Sequence, residues 1–183
     1  MPKKRPIILS LALLLALATA AVAAASTVTA TATITGAGAV SLNSGTTASL
    51  ATTLDGTDQT VGYQIPLTVV DARGTGGGWN LTITSTQFSS GTHTLATNAS
   101  SLTSVAVSCN SGSTCTSPTN AVGLPVAVPA GATAPTAVKF FDAAAATGMG
   151  SFTVTPTVSV SIPGNAYAGT YQSTVTVAVA AGP

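Results

Sequence analysis

The most constraining feature of this sequence is a strict alternation of apolar side chains with threonine and serine. It is clearest over residues 27–35, where Val28, Ala30, Ala32 and Ile34 alternate with threonines. Successive side chains of an extended strand point to opposite faces, so this pattern predicts a strand with one apolar face and one hydroxyl face.

The same alternation returns in five later parts of the chain, and each predicts a further strand. The segments are 61–69, 79–83, 105–109, 152–162 and 171–179. Two of them contain a proline, Pro66 and Pro156. Because proline has no N–H to donate to a strand ladder, Pro66 indicates an edge strand or a bulge at that point.

Turn-forming residues separate these segments. Examples are Asn43-Ser44-Gly45, Asp55-Gly56 and Pro163-Gly164-Asn165. After the first 25 residues no helical period is seen, and the four alanines of segment 142–147 allow one helical turn at most. Short strands separated by turns predict an antiparallel, Ig-like β-sandwich of two sheets, since no crossover helices are available for parallel pairing.

Residues 1–25 have the composition of a secretory signal peptide. Basic residues at positions 3–5 precede an apolar run over 7–18, and small residues follow at 21–25. That order is typical of a cleaved signal helix, and the apolar run is too short to span a bilayer as an anchor. We therefore expect a secreted chain whose single β-sandwich domain covers residues 26–183, with no transmembrane anchor once the signal is removed.

The charges that remain after removal of the signal are few. Arg73 and Lys139 stand against four aspartates, which leaves a net charge of −2. Binding to nucleic acids or to anionic membranes requires clusters of basic residues, so both classes of partner are excluded. The chain is 45% hydrophobic and only 5% charged, which favours folding over disorder.

Two cysteines, Cys109 and Cys115, flank a short polar loop. An exported protein meets an oxidising environment, so the spacing predicts a disulfide between them. A metal site is the alternative, but zinc prefers four ligands and the chain has one histidine, His93. We expect no metal and no cofactor.

Catalytic groups are scarce. His93 lies in a predicted turn tip without a nucleophile elbow, and a glycosidase would need two facing carboxylates from only four aspartates. Asp55 and Asp58 fit an ordinary Asp-Gly turn better than a calcium cage. The sequence therefore predicts a protein that is not an enzyme.

One stretch is more specific than alternation. It reads Asp71-Ala72-Arg73-Gly74-Thr75-Gly76, followed by Trp79-Asn80-Leu81 at the start of a predicted strand. This Asp-x-Arg-Gly-Thr-Gly loop followed by Trp-x-Leu resembles the WxL domain of bacterial cell-surface proteins. The segment 162–177, with Pro163-Gly164 and Gly169-Thr170-Tyr171, is similar to the closing strand of that family.

The resemblance implies non-covalent attachment to peptidoglycan or another cell-wall polymer, at the cell surface. It makes Trp79, Leu81, Asp71 and Arg73 the candidate wall-binding residues. The family carries a second Trp-x-Leu in its last strand, and here that position reads Val177-Ala178-Val179. This degenerate second motif puts the strength of wall binding in question.

The same residues also have a purely structural interpretation. Asp71 and Arg73 share a face of an extended strand and can pair across the mouth of a hairpin, while the glycines at 76–78 allow a tight loop. Trp79 can be a core residue between the sheets, or it can stack on a sugar ring from the surface. The sequence leaves both possibilities for Trp79 open.

Two functional hypotheses follow. The first is a wall-associated binding or structural domain, which we expect to be held without a covalent bond because the chain ends Ala-Ala-Gly-Pro with no sorting motif. The second is a self-assembling fibre or surface-layer subunit, in which Val28–Ile34 is donated as a strand to another copy. Other surface proteins, or copies of the same chain, are possible partners.

Overall fold

The computed structural model describes residues 31–44 and 50–183. Within this part, one compact unit extends from Ile34 to Pro183. The predicted signal peptide at 1–25, and the first four residues of the predicted strand 27–35, lie outside the described residues.

The described residues form β-strands and no helix. The strands are β1 Ser41–Ser44, β2 Gln59–Gln64, β3 Leu67–Asp71, β4 Trp79–Thr86, β5 Ser89–Ser90, β6 His93–Thr94, β7 Ser100–Cys109, β8 Val126–Ala127, β9 Ala130–Gly131, β10 Val138–Ala143, β11 Gly150–Ile162 and β12 Val175–Ala181.

These strands pair into two main sheets. The first has the order β1-β3-β11-β7-β8, with β2 also paired to β11, and the second has the order β10-β4-β12, with β9 on β4. The β5–β6 ribbon is separate. Every pair is antiparallel except the two-residue contact between β4 and β9. The prediction of an all-β, antiparallel two-sheet fold is confirmed.

The core lies between the two sheets, because inward side chains of both belong to one buried cluster. Strand β4 contributes Trp79, Leu81 and Ile83, while β3 contributes Leu67 and Val69, and all five are fully buried. Each such side chain stabilises the fold by about 1.5–3 kcal/mol through its removal from water. The alternation in the sequence thus marks the inward face correctly.

The two prolines meet at one irregularity. The predicted strand 61–69 is divided into β2 and β3, which pair with successive parts of β11 on either side of Ile65 and Pro66. The Ile65 N–H donates to the carbonyl oxygen of Pro156, at 3.0 Å. Where the sequence predicted an edge strand or a bulge at Pro66, the structure has a break in the ladder without a shift in register, and Pro156 lies in the part of β11 that faces it.

Two sequence interpretations need correction. Strand β10 was not predicted, because Phe140 and Phe141 are both buried and the register shifts between Lys139 and Phe141, which breaks the alternation. Conversely, residues 31–35 alternate strictly but form no strand. These residues are exposed, so burial of their apolar side chains does not stabilise a strand there.

Candidate functional site

The structure places all four wall-binding candidates around one chain crossing. Strand β3 ends at Asp71, segment 72–78 crosses to the other sheet, and β4 begins with Trp79. The hairpin expected here is wrong, because β3 and β4 belong to different sheets and do not pair. Segment 72–78 is therefore an arch between sheets, and we call it the arch below.

A bidentate ion pair holds the first half of the arch. The Arg73 guanidinium donates from Nε to Oδ1 of Asp71 and from Nη2 to Oδ2, both at 2.8 Å. The Asp71 side chain is 1% exposed and that of Arg73 is 11% exposed. The pair foreseen from the sequence thus exists, although it braces an arch and not a hairpin.

This contact shifts the pKa of both groups. Hydrogen bonds from Arg73 lower the pKa of Asp71 below its ordinary value, despite partial desolvation. The hydrogen bond to Asp71 in turn raises the pKa of Arg73. Arg73 Nη2 also donates to the carbonyl oxygen of Gly78, at the far end of the arch. The ion pair thereby fixes both ends of the crossing.

Trp79 is a core residue in this structure. Its side chain is fully buried, and its indole stacks on Phe141 with a centroid separation of 5.5 Å. The indole Nε1–H donates to the carbonyl oxygen of Gly148 at 2.8 Å. With no exposed ring face, Trp79 offers no platform to a sugar, and the fully buried Leu81 offers no surface either.

Two glycines complete this packing: Gly78, one of the three glycines from which a tight loop was predicted, and Gly148, which was not singled out from the sequence. Gly148 has φ of 72°, and a Cβ there would lie 2.6 Å from both Nε1 of Trp79 and Cβ of Ala143. A Cβ on Gly78 would lie 2.3 Å from the Ala143 carbonyl oxygen. Gly148 is constrained by contact with Trp79, which lies far from it in the sequence, so local sequence gave no signal for this position.

A short hydrogen-bonded path connects Trp79 to the cysteines. The Gly148 N–H donates to the Thr116 carbonyl oxygen at 2.8 Å, and the Thr116 N–H donates to that of Met149 at 2.9 Å. Thr116 directly follows Cys115, which forms the predicted disulfide with Cys109 at an S–S distance of 2.05 Å. The disulfide is therefore confirmed, and it borders the Trp79 site.

The degenerate second motif lies beside the first. In the β4–β12 ladder Val179 is opposite Leu81, and Val177 is opposite Ile83. Both valines are half-buried and pack against the core. The second Trp-x-Leu position thus lies on β12, the strand next to β4 in the same sheet. The valines there supply a smaller apolar surface than a tryptophan would.

The remaining titratable groups are dispersed. Asp55 accepts from the Thr57 hydroxyl, and the hydrogen bonds from Thr57 lower the pKa of this exposed carboxyl. Asp58 accepts from the Gly164 N–H at 2.9 Å. Within residues 31–44 and 50–183, no group of three or more His, Cys, Asp or Glu side chains is placed to hold a metal ion. The same residues contain no helix long and apolar enough to cross a membrane.

Fold and motif together define a two-sheet, all-β domain assembled around a buried Trp-x-Leu strand. The family model described as WxL domain, surface cell wall-binding, matches residues 36–183. The match covers well over half of the chain, so this protein belongs to the WxL family, whose members bind the cell wall at the cell surface and are not classed as enzymes. Neither the curated proteins nor the solved structures give a match to the chain.

Proposed function

We propose that this protein is exported and attaches non-covalently to peptidoglycan, with a binding or structural role and no catalytic one. The observation that carries the proposal is the match of a wall-binding family over residues 36–183. The low charge of the chain supports a contact made by apolar surface and hydroxyl groups more than by ion pairs.

The four candidate residues contribute indirectly in this proposal. Trp79, Leu81 and Asp71 are buried, and Arg73 is engaged by Asp71 and Gly78. They hold the arch against the turn that contains Gly148, and so stabilise the sandwich. A change at these residues then acts on wall binding through the stability of the fold.

Retention on purified sacculi tests the proposal. The protein lacking residues 1–25 is mixed with peptidoglycan stripped of its anionic polymers, sedimented and washed at low and at high salt. We expect it to stay with the pellet at both salt concentrations, because salt screens contacts between exposed charges and leaves apolar contacts intact. Protein that remains wholly in the supernatant contradicts peptidoglycan binding.

Export and surface location have a separate test. Cells producing the full chain are fractionated, and the mass of the wall-associated form is measured. A mass corresponding to cleavage near residue 25, in the wall fraction, is the expected result. Full-length protein confined to the cytoplasm would contradict export.

Strand donation is a second candidate, and one observation favours it. Ile34 is 94% exposed at the end of an apolar alternation, and residues 31–35 pair with no strand in the described part of the chain. Among the described strands, β12 pairs with β4 alone, so its other edge has no ladder partner there and can accept a donated strand. Electron microscopy of the mature chain, and of a variant lacking residues 27–35, distinguishes filaments from dispersed monomers.

A further inference from the structure

A groove with aromatic walls lies at the end of the sandwich away from Trp79. Its cavity volume is about 630 Å³, and the residues that line it include Phe88, Leu95, Val160, Tyr167 and Tyr171. Val160 is eight residues further along β11 than Phe152, which contacts Trp79. At about 3.3 Å per residue the groove is then roughly 26 Å from the Trp-x-Leu site.

We propose that this groove binds an uncharged chain of N-acetylated hexoses, the kind of sugar that forms the glycan backbone of peptidoglycan. The proposal rests on the proposed function and assigns its glycan contact to the groove. Tyr167 would be the stacking platform, and the apolar floor would receive the acetamido methyl groups.

Tyr167 is presented as a platform of this kind. It is 66% exposed, which is unusual for a large aromatic side chain. The His93 ring stacks on it with a centroid separation of 3.8 Å and an interplanar angle of 15°. Since His93 covers one ring face, the exposure must come from the edge and the other face. The apolar face of a pyranose can pack on that ring.

The segment that carries Tyr167 is held in place before any ligand arrives. The Tyr171 hydroxyl donates to the Tyr167 carbonyl oxygen at 3.0 Å, and the Ala166 N–H donates to that of Pro163 at 2.9 Å. Gly164 is tied to Asp58 by a further hydrogen bond. A platform that is already ordered loses little conformational entropy on binding.

The side chains that line the groove indicate which ligand it can bind. Leu95 and Val160 form a buried apolar floor, and the sides of the groove carry the hydroxyl groups of Thr52, Thr53 and Thr170. The described residues that line the groove include no Lys, Arg, Asp or Glu. A phosphate-bearing wall polymer would require cationic partners, whereas a neutral N-acetylated glycan requires hydroxyl and apolar contacts.

The size of the groove is consistent with a short oligosaccharide. Its volume of about 630 Å³ lies within the range of about 300–1,000 Å³ that is typical of small-molecule sites.

The test uses the mature chain and the β-1,4-linked tetramer of N-acetylglucosamine as a soluble probe. Affinity is measured by calorimetric titration for the wild type, Tyr167→Ala and Tyr167→Phe, and the same three proteins are assayed on sacculi. We expect Tyr167→Ala to bind the tetramer about tenfold more weakly, as the loss of one aromatic stacking contact predicts. Tyr167→Phe keeps the ring and should bind like the wild type.

Because the Tyr167 side chain is largely exposed, Tyr167→Ala should keep the wild-type unfolding curve, which serves as the folding control. The groove assignment is overturned if the wild type does not bind the tetramer, or if Tyr167→Ala binds it equally well. It is also overturned if purified teichoic acid binds in place of the tetramer. If the wild type binds sacculi and Tyr167→Ala does so equally, the groove is wrong while the proposed function stands. If the wild type binds the tetramer but not sacculi, the groove stands and peptidoglycan attachment is wrong.

Discussion

The indole N–H of Trp79 donates a hydrogen bond to the carbonyl oxygen of Gly148, although 69 residues separate them in the chain. Both groups are enclosed where the arch meets the turn after β10. A buried polar group left without a partner costs about 1–3 kcal/mol. This hydrogen bond therefore makes the position specific for tryptophan, beyond a general need for an apolar side chain.

Substitutions at Trp79 should separate its packing from its hydrogen bond. We expect Trp79→Phe to lower the free energy of unfolding by about 1–3 kcal/mol, because the Gly148 carbonyl loses its donor. Trp79→Ala should lower it by about 3–5 kcal/mol by adding a cavity. Urea unfolding followed by circular dichroism measures both.

Wall retention of the same variants shows whether Trp79 itself contacts the wall. Folded Trp79→Phe should stay on sacculi like the wild type, since the indole is buried. A Trp79→Phe protein that is fully folded yet released from sacculi would instead require direct contact by the indole.

Gly148 should be intolerant of any side chain. Its positive φ and the close approach of Trp79 both oppose a Cβ. Gly112→Ala is the matched control, because Gly112 also has a positive φ, of 79°, but has open space around it. We expect Gly112→Ala to cost about 1 kcal/mol of stability and Gly148→Ala about 2 kcal/mol more. Equal losses in urea titrations would show that the contact with Trp79 is unimportant.

The sequence predicted the inward faces of the strands well, because alternation reports burial directly. It failed where burial and alternation diverge. At Phe140 and Phe141 a bulge places two neighbouring aromatics in the core, and at residues 31–35 alternation occurs without a core to cover.

The candidate site shows the same division. The Asp71–Arg73 pair is only two residues apart and was foreseen, and so was the Cys109–Cys115 disulfide. The constraint on Gly148 comes from its contact with Trp79, and Tyr167 is stacked on His93. Both contacts join segments that are distant in the sequence. Single-sequence patterns carry no information on such contacts.

The Asp71–Arg73 pair should make the fold sensitive to acid. The pKa of Asp71 is lowered in the folded protein. The contribution of its carboxylate to the free energy of unfolding is therefore complete above the unfolded carboxyl pKa of about 3.9, and it is lost as the pH falls through the folded pKa. At neutral pH, Asp71→Asn should cost about 3 kcal/mol by leaving Arg73 without its carboxylate.

Urea titrations between pH 7 and pH 2 measure this effect. The stability difference between wild type and Asp71→Asn should narrow as the pH falls below about 4. Lys139→Ala is the control, because Lys139 is an exposed charge and its loss should change little. A difference that is constant with pH would contradict the role given to the Asp71 carboxylate.

Tyr63 should limit stability in alkali. Burial raises its pKa to about 12 in the folded protein, against about 10 in the unfolded chain. The contribution of the neutral Tyr63 side chain to the free energy of unfolding is present in full below pH 10 and is lost as the pH rises towards 12, because the Tyr63 hydroxyl ionises at lower pH in the unfolded chain than in the folded protein. Tyr63→Phe should remove this alkaline loss, which amounts to about 3 kcal/mol for a pKa difference of about 2. An identical pH profile for the two proteins would show that Tyr63 ionises freely in the fold.

The disulfide borders the Trp79 site, and its removal should act mainly on the unfolded chain. Closing the short loop from Cys109 to Cys115 restricts that chain by an amount worth about 2 kcal/mol. We therefore expect Cys109→Ser with Cys115→Ser to lower the free energy of unfolding by about that much. Trp79 is the sole tryptophan of the sequence, so its fluorescence reports on this site alone.

The native emission of Trp79 distinguishes two roles of the disulfide. If the disulfide acts only on the unfolded chain, emission without denaturant stays at the wavelength of a buried indole. If it also holds Thr116 against Gly148, the double variant shows a red shift before it unfolds, because water reaches the indole. The hydrogen bonds joining Thr116 to Gly148 and Met149 remain available without the cysteines, so we expect the first result.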